Sequence, residues 1–141
     1  MSRRLRLLMA EEGLEYGQRT HTYNSRLAQE LAVAGDAAGV TDALHDALFR
    51  AYFVEGRNLM SHEVLFEIAD ATGLDPSLAR AAIEDREYRS TIDAHWSRAG
   101  GMGVTGVPTF AVNGVGVVGA QPYETLEELM EHVGVARRSE A

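Results

Sequence analysis

Cysteine is absent from the 141-residue chain, so the polypeptide supplies no disulfide, no thiolate metal ligand and no thiol nucleophile. Lysine is absent too: all 13 basic residues are arginines, against 21 acidic residues, for a formal charge of −8. No basic face is visible that would release counterions from phosphates, so nucleic acid is not an expected partner. Arg3, Arg4 and Arg6 at one end, and Arg137 and Arg138 at the other, read as solvated tails. No run approaches the roughly 20 apolar residues that cross a bilayer. The first twelve residues break their apolar positions with arginines and end in two acids, unlike a secretory signal. The expectation is a soluble, cytoplasmic protein without membrane contact.

Strand signals are nearly absent as well. The one β pattern is the stretch Val107-Pro108-Thr109-Phe110-Ala111-Val112, reversed by Asn113-Gly114 into Val115-Gly116-Val117-Val118, which reads as a hairpin with a tight primed turn. A proline that cannot donate to a ladder belongs at the start of such a strand or on an edge. Val107-Pro108 is also the kind of bond in which the cis isomer is affordable, and the sequence leaves the isomer open.

Helical patterns fill the rest. Leu5, Leu8 and Met9 share a side of a short helix over 3–12 that stops at Gly13, and 14–23 reads as a connecting loop with a short extended piece at Leu14-Glu15-Tyr16. Asn24 and Ser25 offer a cap for a helix to Ala34, carrying Leu27, Leu31 and Ala34, with Gly35 and Gly39 bracketing the break. Thr41 is expected to cap a central helix striped with Leu44, Leu48, Ala51 and Tyr52 and widened by Phe49 and Phe53. Ser61 opens a helix with Val64, Leu65, Ile68 and Ala69 that ends at Gly73-Leu74, and Asp75-Pro76 restarts the chain for a short helix to Glu84. Tyr88, Ile92, Trp96 and Ala99 stripe a longer helix that stops at Gly100-Gly101. After the hairpin, Pro122 precedes a helix carrying Leu126, Leu129, Met130 and Val133, and the last seven residues read as disordered. The order is about five helices and then β-β-α.

The usual chemical constellations are missing. His21, His45, His62, His95 and His132 show no ligand spacing, and a zinc site needs several convergent ligands, so no metal or cofactor is expected. Ser25, Ser61 and Thr41 are explained as caps, and no GxSxG surrounds a serine. Gly101-x-Gly103-x-x-Gly106 has the spacing of a dinucleotide fingerprint, but it follows a helix and opens a strand, the reverse of what that motif requires. Glu124, Glu127, Glu128 and Glu131 form a solvated helix face whose first member complements the dipole.

The stretch Gly103-Val104-Thr105-Gly106-Val107-Pro108-Thr109-Phe110, then a hairpin, Gly119-Ala120-Gln121 and a helix, resembles the C-terminal half of the DsbA-like thioredoxin superfamily, in particular its cytoplasmic FrnE-type oxidoreductases. Gly13-Leu14-Glu15-Tyr16, Asn24-Ser25, Phe49-Arg50-Ala51-Tyr52-Phe53, Glu55-Gly56-Arg57 and Gly73-Leu74-Asp75 fall in that family's order, although Ala28-Gln29 stands where the family has alanine-histidine. The resemblance implies an α+β, mostly helical fold: a helical bundle of the DsbA insertion type followed by the C-terminal β-β-α of a thioredoxin-like fold. On that reading 1–23 is an N-terminal helix and loop, 24–101 a helical subdomain, 102–134 a partial thioredoxin-like β-β-α and 135–141 a disordered tail.

The resemblance also implies that Pro108 is the family's cis-proline, with Thr105, Gly106 and Val107 completing a loop that presents backbone to an extended protein or peptide partner. It further implies that the chain starts after the family's β-α-β unit with its Cys-x-x-Cys pair. Disulfide exchange needs an attacking thiolate and a resolving thiol, so a cysteine-free chain is expected to be inactive alone. Three readings follow: a truncated or split FrnE-like oxidoreductase, a non-catalytic binding protein using the loop and an open sheet edge or a homodimer, and an enzyme of the related isomerase branch.

Overall fold

The computed structural model describes residues 3–18 and 20–136 and divides into two compact units, Met1–Ala94 and His95–Ala141. Among the described residues the elements run α1 (Arg3–Glu11), α2 (Arg26–Ala38), α3 (Thr41–Phe49), a π-helical turn (Arg50–Val54), α4 (His62–Ala71), α5 (Pro76–Ile83), α6 (Arg89–Gly101), β1 (Thr109–Val112), β2 (Val115–Val118) and α7 (Tyr123–His132). The fold is thus mostly helical with one two-stranded sheet. The boundary between the units falls inside α6.

In the first unit, α2, α3, α4 and α5 pack around Leu31, Leu44, Leu65 and Ile83, all fully buried. Each such side chain is worth about 1.5–3 kcal/mol relative to exposure. Ser61 caps α4 by accepting from the Val64 N–H at 3.4 Å, and Asp75 caps α5 by accepting from the Ser77 N–H at 2.8 Å. Between them Gly73, at φ 76°, lets the Leu74 N–H reach the Ala69 carbonyl at 3.0 Å, the closure expected of a glycine stop.

Some local expectations are corrected. Helix α2 does not end at Ala34 but runs through Gly35 to Ala38, because Gly35 lies inside the packing: a Cβ there would sit 2.5 Å from Leu44 Cδ2. Of the two cap residues offered, Ser25 holds the N-cap position without a side-chain cap bond, and the Asn24 Oδ1 accepts from the Arg26 N–H at 2.8 Å. Thr41 is the first helical residue of α3, after an N-cap at Val40 without a side-chain bond. No strand forms at 14–16; that segment is held by the Gly17 N–H donating to the Phe53 carbonyl at 2.9 Å. Leu44, Leu48 and Ala51 bury as a stripe, while Phe49 is 60% exposed and joins Phe53, Tyr16 and His45 in an aromatic row on the surface.

In the second unit, Asn113 at φ 49° and Gly114 at φ 78° form the primed turn that Asn-Gly predicts, pairing Thr109 with Val118, Phe110 with Val117, Ala111 with Gly116 and Val112 with Val115. Helix α7 packs against both strands. Leu129 is the buried residue of its apolar face, whereas Met130 is 40% exposed. Of the stripe Tyr88, Ile92, Trp96 and Ala99, Ile92 is buried and Trp96 is 47% exposed. The terminal arginines Arg137 and Arg138, and the expected tail apart from Val135 and Ala136, lie outside the described residues.

Candidate functional site

Helix α6 ends in a glycine stop: Gly103 takes φ 74° and the Val104 N–H returns to the Ala99 carbonyl at 3.0 Å. The glycines of 101–106 therefore close a helix and lead into a strand. Thr105, Gly106, Val107 and Pro108 follow as one short loop before β1. Two bonds shape it. The Thr109 hydroxyl donates to the Gly106 carbonyl at 2.6 Å, and the Gly119 N–H donates to the Pro108 carbonyl at 2.8 Å. Gly106 sits close under Val118, where a Cβ would come within 3.2 Å of its Cγ1.

The Val107-Pro108 bond is cis. Val107 is 89% exposed, and no hydrogen bond among the described residues reaches its N–H or C=O. Thr105 and Pro108 are exposed as well. The loop thus holds an apolar side chain and an unused amide pair in solvent on a backbone pinned at both ends. Chemically it can recognise an extended chain through backbone hydrogen bonds. It carries no titratable side chain, so acid, base and nucleophilic work fall outside its means.

The histidines lie apart from this loop in the sequence, and all but the half-buried His45 are exposed. Among the described residues no three histidines, aspartates or glutamates gather as metal ligands, and no helix is long and apolar enough to cross a membrane.

Sequence reasoning passed over Glu30, the one buried charged residue among those described. It occupies the apolar side of α2 next to Leu27, Leu31 and Ala34. Its carboxylate accepts two bonds from Arg86, at 2.7 Å from Nε and 2.8 Å from a terminal nitrogen, and one from Arg26 Nε at 3.1 Å. Arg26 also reaches Asp93 and the Arg89 carbonyl, the latter at 3.2 Å. The Arg86 fork, its burial opposed, and then Arg26 hold the Glu30 carboxyl below the usual range. Arg86 itself takes φ 58°, a left-handed backbone that costs an arginine on the order of 1 kcal/mol and that the forked pair helps to hold. The available signal was an acid placed on an apolar stripe four residues after an arginine. Nothing local could point to Arg86, fifty-six positions away.

Comparison with known proteins accords with the fold. The crystal structure of a probable DsbA oxidoreductase from Streptomyces coelicolor superposes with a TM-score of 0.81 at 30% identity, covering 98% of this chain and 61% of that one. The chain therefore spans less than two thirds of the length of that relative. No curated protein matches. The model of the DSBA-like thioredoxin domain matches residues 1–131, nearly the whole sequence, and the chain belongs to that family.

Proposed function

We infer that this chain is the substrate-side part of a thiol–disulfide oxidoreductase of the FrnE type, a peptide-recognising portion that does not catalyse exchange by itself. The observation that carries the reading is the pairing of a pinned, solvent-facing Val107-Pro108 loop with a polypeptide that has no cysteine. Exchange proceeds by thiolate attack on a disulfide and release of the mixed disulfide by a second thiol. This chain brings neither sulfur. What it brings is a backbone surface: the Val107 N–H and C=O are placed to pair with an extended peptide, as in strand addition.

The FrnE-type and cytoplasmic assignments rest on the resemblance of 103–110 and 119–121. With them goes the division into an N-terminal helix and loop (1–23), a helical subdomain (24–101) and a thioredoxin-like β-β-α (102–134). Since this chain covers 61% of its structural relative, the activity of a whole oxidoreductase would also draw on residues outside it.

The test is a titration with unfolded, cysteine-free polypeptide, read by fluorescence anisotropy. Val107→Glu places a charge where the proposed peptide backbone would run. We expect it to weaken binding about tenfold, a loss of roughly 1.4 kcal/mol, with an unchanged melting temperature because the side chain is already in solvent. Equal affinity for the two proteins would remove the loop from the account.

A further inference from the structure

The amide of Val107 is aimed by a side chain two residues further along the chain. The Gly106-Val107 peptide unit is trans, since the cis bond among the described residues is Val107-Pro108. A trans unit is planar, with its C=O and N–H pointing in opposite directions, so whatever fixes the carbonyl also directs the amide. The Gly106 carbonyl accepts from the Thr109 hydroxyl at 2.6 Å. The Val107 N–H is thereby turned to the side opposite Thr109, where no hydrogen bond among the described residues reaches it.

Thr109 is well placed to hold that plane. It is the first residue of β1, half-buried and paired with Val118, and its β-branched side chain has few rotamers, so the strand fixes where the hydroxyl stands. The surface beneath is fixed as well: Gly106 lies close to Val118 Cγ1, and the Gln121 side chain donates to the Val118 carbonyl at 2.7 Å, securing the end of β2. The bond from the Gly119 N–H holds the Pro108 carbonyl, one peptide plane further along than the Val107 carbonyl. The plane between Gly106 and Val107 would otherwise turn easily, because glycine on its near side has the widest backbone freedom. Among the described residues the Thr109 hydroxyl is the group that bonds to it.

We propose that Thr109 is a positioning residue for peptide recognition: by holding the Gly106 carbonyl, its hydroxyl aims the Val107 N–H at the backbone carbonyl of an extended partner. The inference rests on the reading of residues 105–108 as the recognition loop. An amide that already points where the partner's carbonyl arrives has little freedom left to lose on binding, which is the gain of preorganisation. The hydroxyl carries the role, and the methyl group does not. Serine should therefore serve in place of threonine, whereas valine, close to threonine in shape but without the donor, should not.

Thr109→Val and Thr109→Ser are compared with the unsubstituted chain by anisotropy against a fluorescein-labelled, cysteine-free unfolded polypeptide, and by the nitrogen-15 order parameter of the Val107 amide. Thr109→Val should weaken binding about fivefold, the loss expected of one neutral hydrogen bond. Its Val107 order parameter should fall from about 0.85 to below about 0.6. Thr109→Ser should return both to within about twofold of the original affinity and to the rigid value. Protection of the Gly119 N–H, which is bonded to the Pro108 carbonyl, should persist in both variants and shows that the hairpin is intact. Unchanged affinity in Thr109→Val, an unchanged Val107 order parameter, or a Thr109→Ser protein as weak as Thr109→Val would each overturn the proposal. If Val107→Glu weakens binding and Thr109→Val does not, this inference alone falls; if neither substitution matters, the reading of the loop falls with it.

Discussion

At the scale of single residues, Glu30 shows how much a buried charge depends on its partners. Burying a carboxylate costs several kcal/mol, and the pair with Arg86 offsets that cost only while both members are present. Arg86→Ala should therefore destabilise the first unit by about 2–4 kcal/mol in denaturant unfolding, near the low end because Arg86 is about one third exposed. The acid response has a definite sign. A carboxyl held below its ordinary value of 4.5 contributes stability that is fully present above that value and is lost as pH falls through the lower, folded value. Unfolding free energy should be insensitive to Glu30 between pH 7 and pH 5 and decline below about pH 4.5. In Glu30→Gln that decline should be shallower, as followed by urea titration across pH. None of this was legible in the sequence, since a glutamate on a helix is ordinarily a solvated residue and its forked partner is distant in the chain.

At the scale of elements, what could be read was what is decided locally. Asn113-Gly114 fixes a primed turn, Asp75-Pro76 opens α5, and Gly73 closes α4, each through backbone preferences of the residues themselves. What could not be read was decided by packing. Gly35 looks like a helix breaker until Leu44 is placed against it, and the π-helical turn after α3 has no sequence signature. Gly17 is a similar case. A Cβ there would lie 1.8 Å from the Val54 carbonyl oxygen, a backbone atom that cannot step aside. Gly17→Ala should detach the 14–18 segment from the π-helical turn and cost about 1–3 kcal/mol. The signature is faster amide exchange at Gly17, whose N–H is bonded to Phe53, without comparable change in α4 and α5.

At the scale of the whole molecule, the two units are unequal. Of the buried apolar residues described, all but Leu129 belong to the first unit. A hairpin and one helix with a single buried apolar side chain have little stability of their own. Hydrogen exchange should consequently be slowest in α2, α4 and α5 and faster by orders of magnitude in β1 and β2; equal protection in the two units would show that the hairpin is stabilised from elsewhere. The overall class, helices followed by β-β-α, was visible in the sequence because periodicity and turn residues set it. Val107-Pro108 stood out in the sequence as the start of the one β pattern, but a recognition role for Thr105–Pro108 came only through resemblance, since the residues give no reason to prefer that loop over any other turn. The central claim is that this cysteine-free chain recognises polypeptide without catalysing disulfide exchange. Its most direct test is the reduction of insulin by dithiothreitol, followed as turbidity, with the purified chain as the added protein. The account predicts a lag time identical to that of the blank. A lag that shortens in proportion to the concentration of the chain would contradict it.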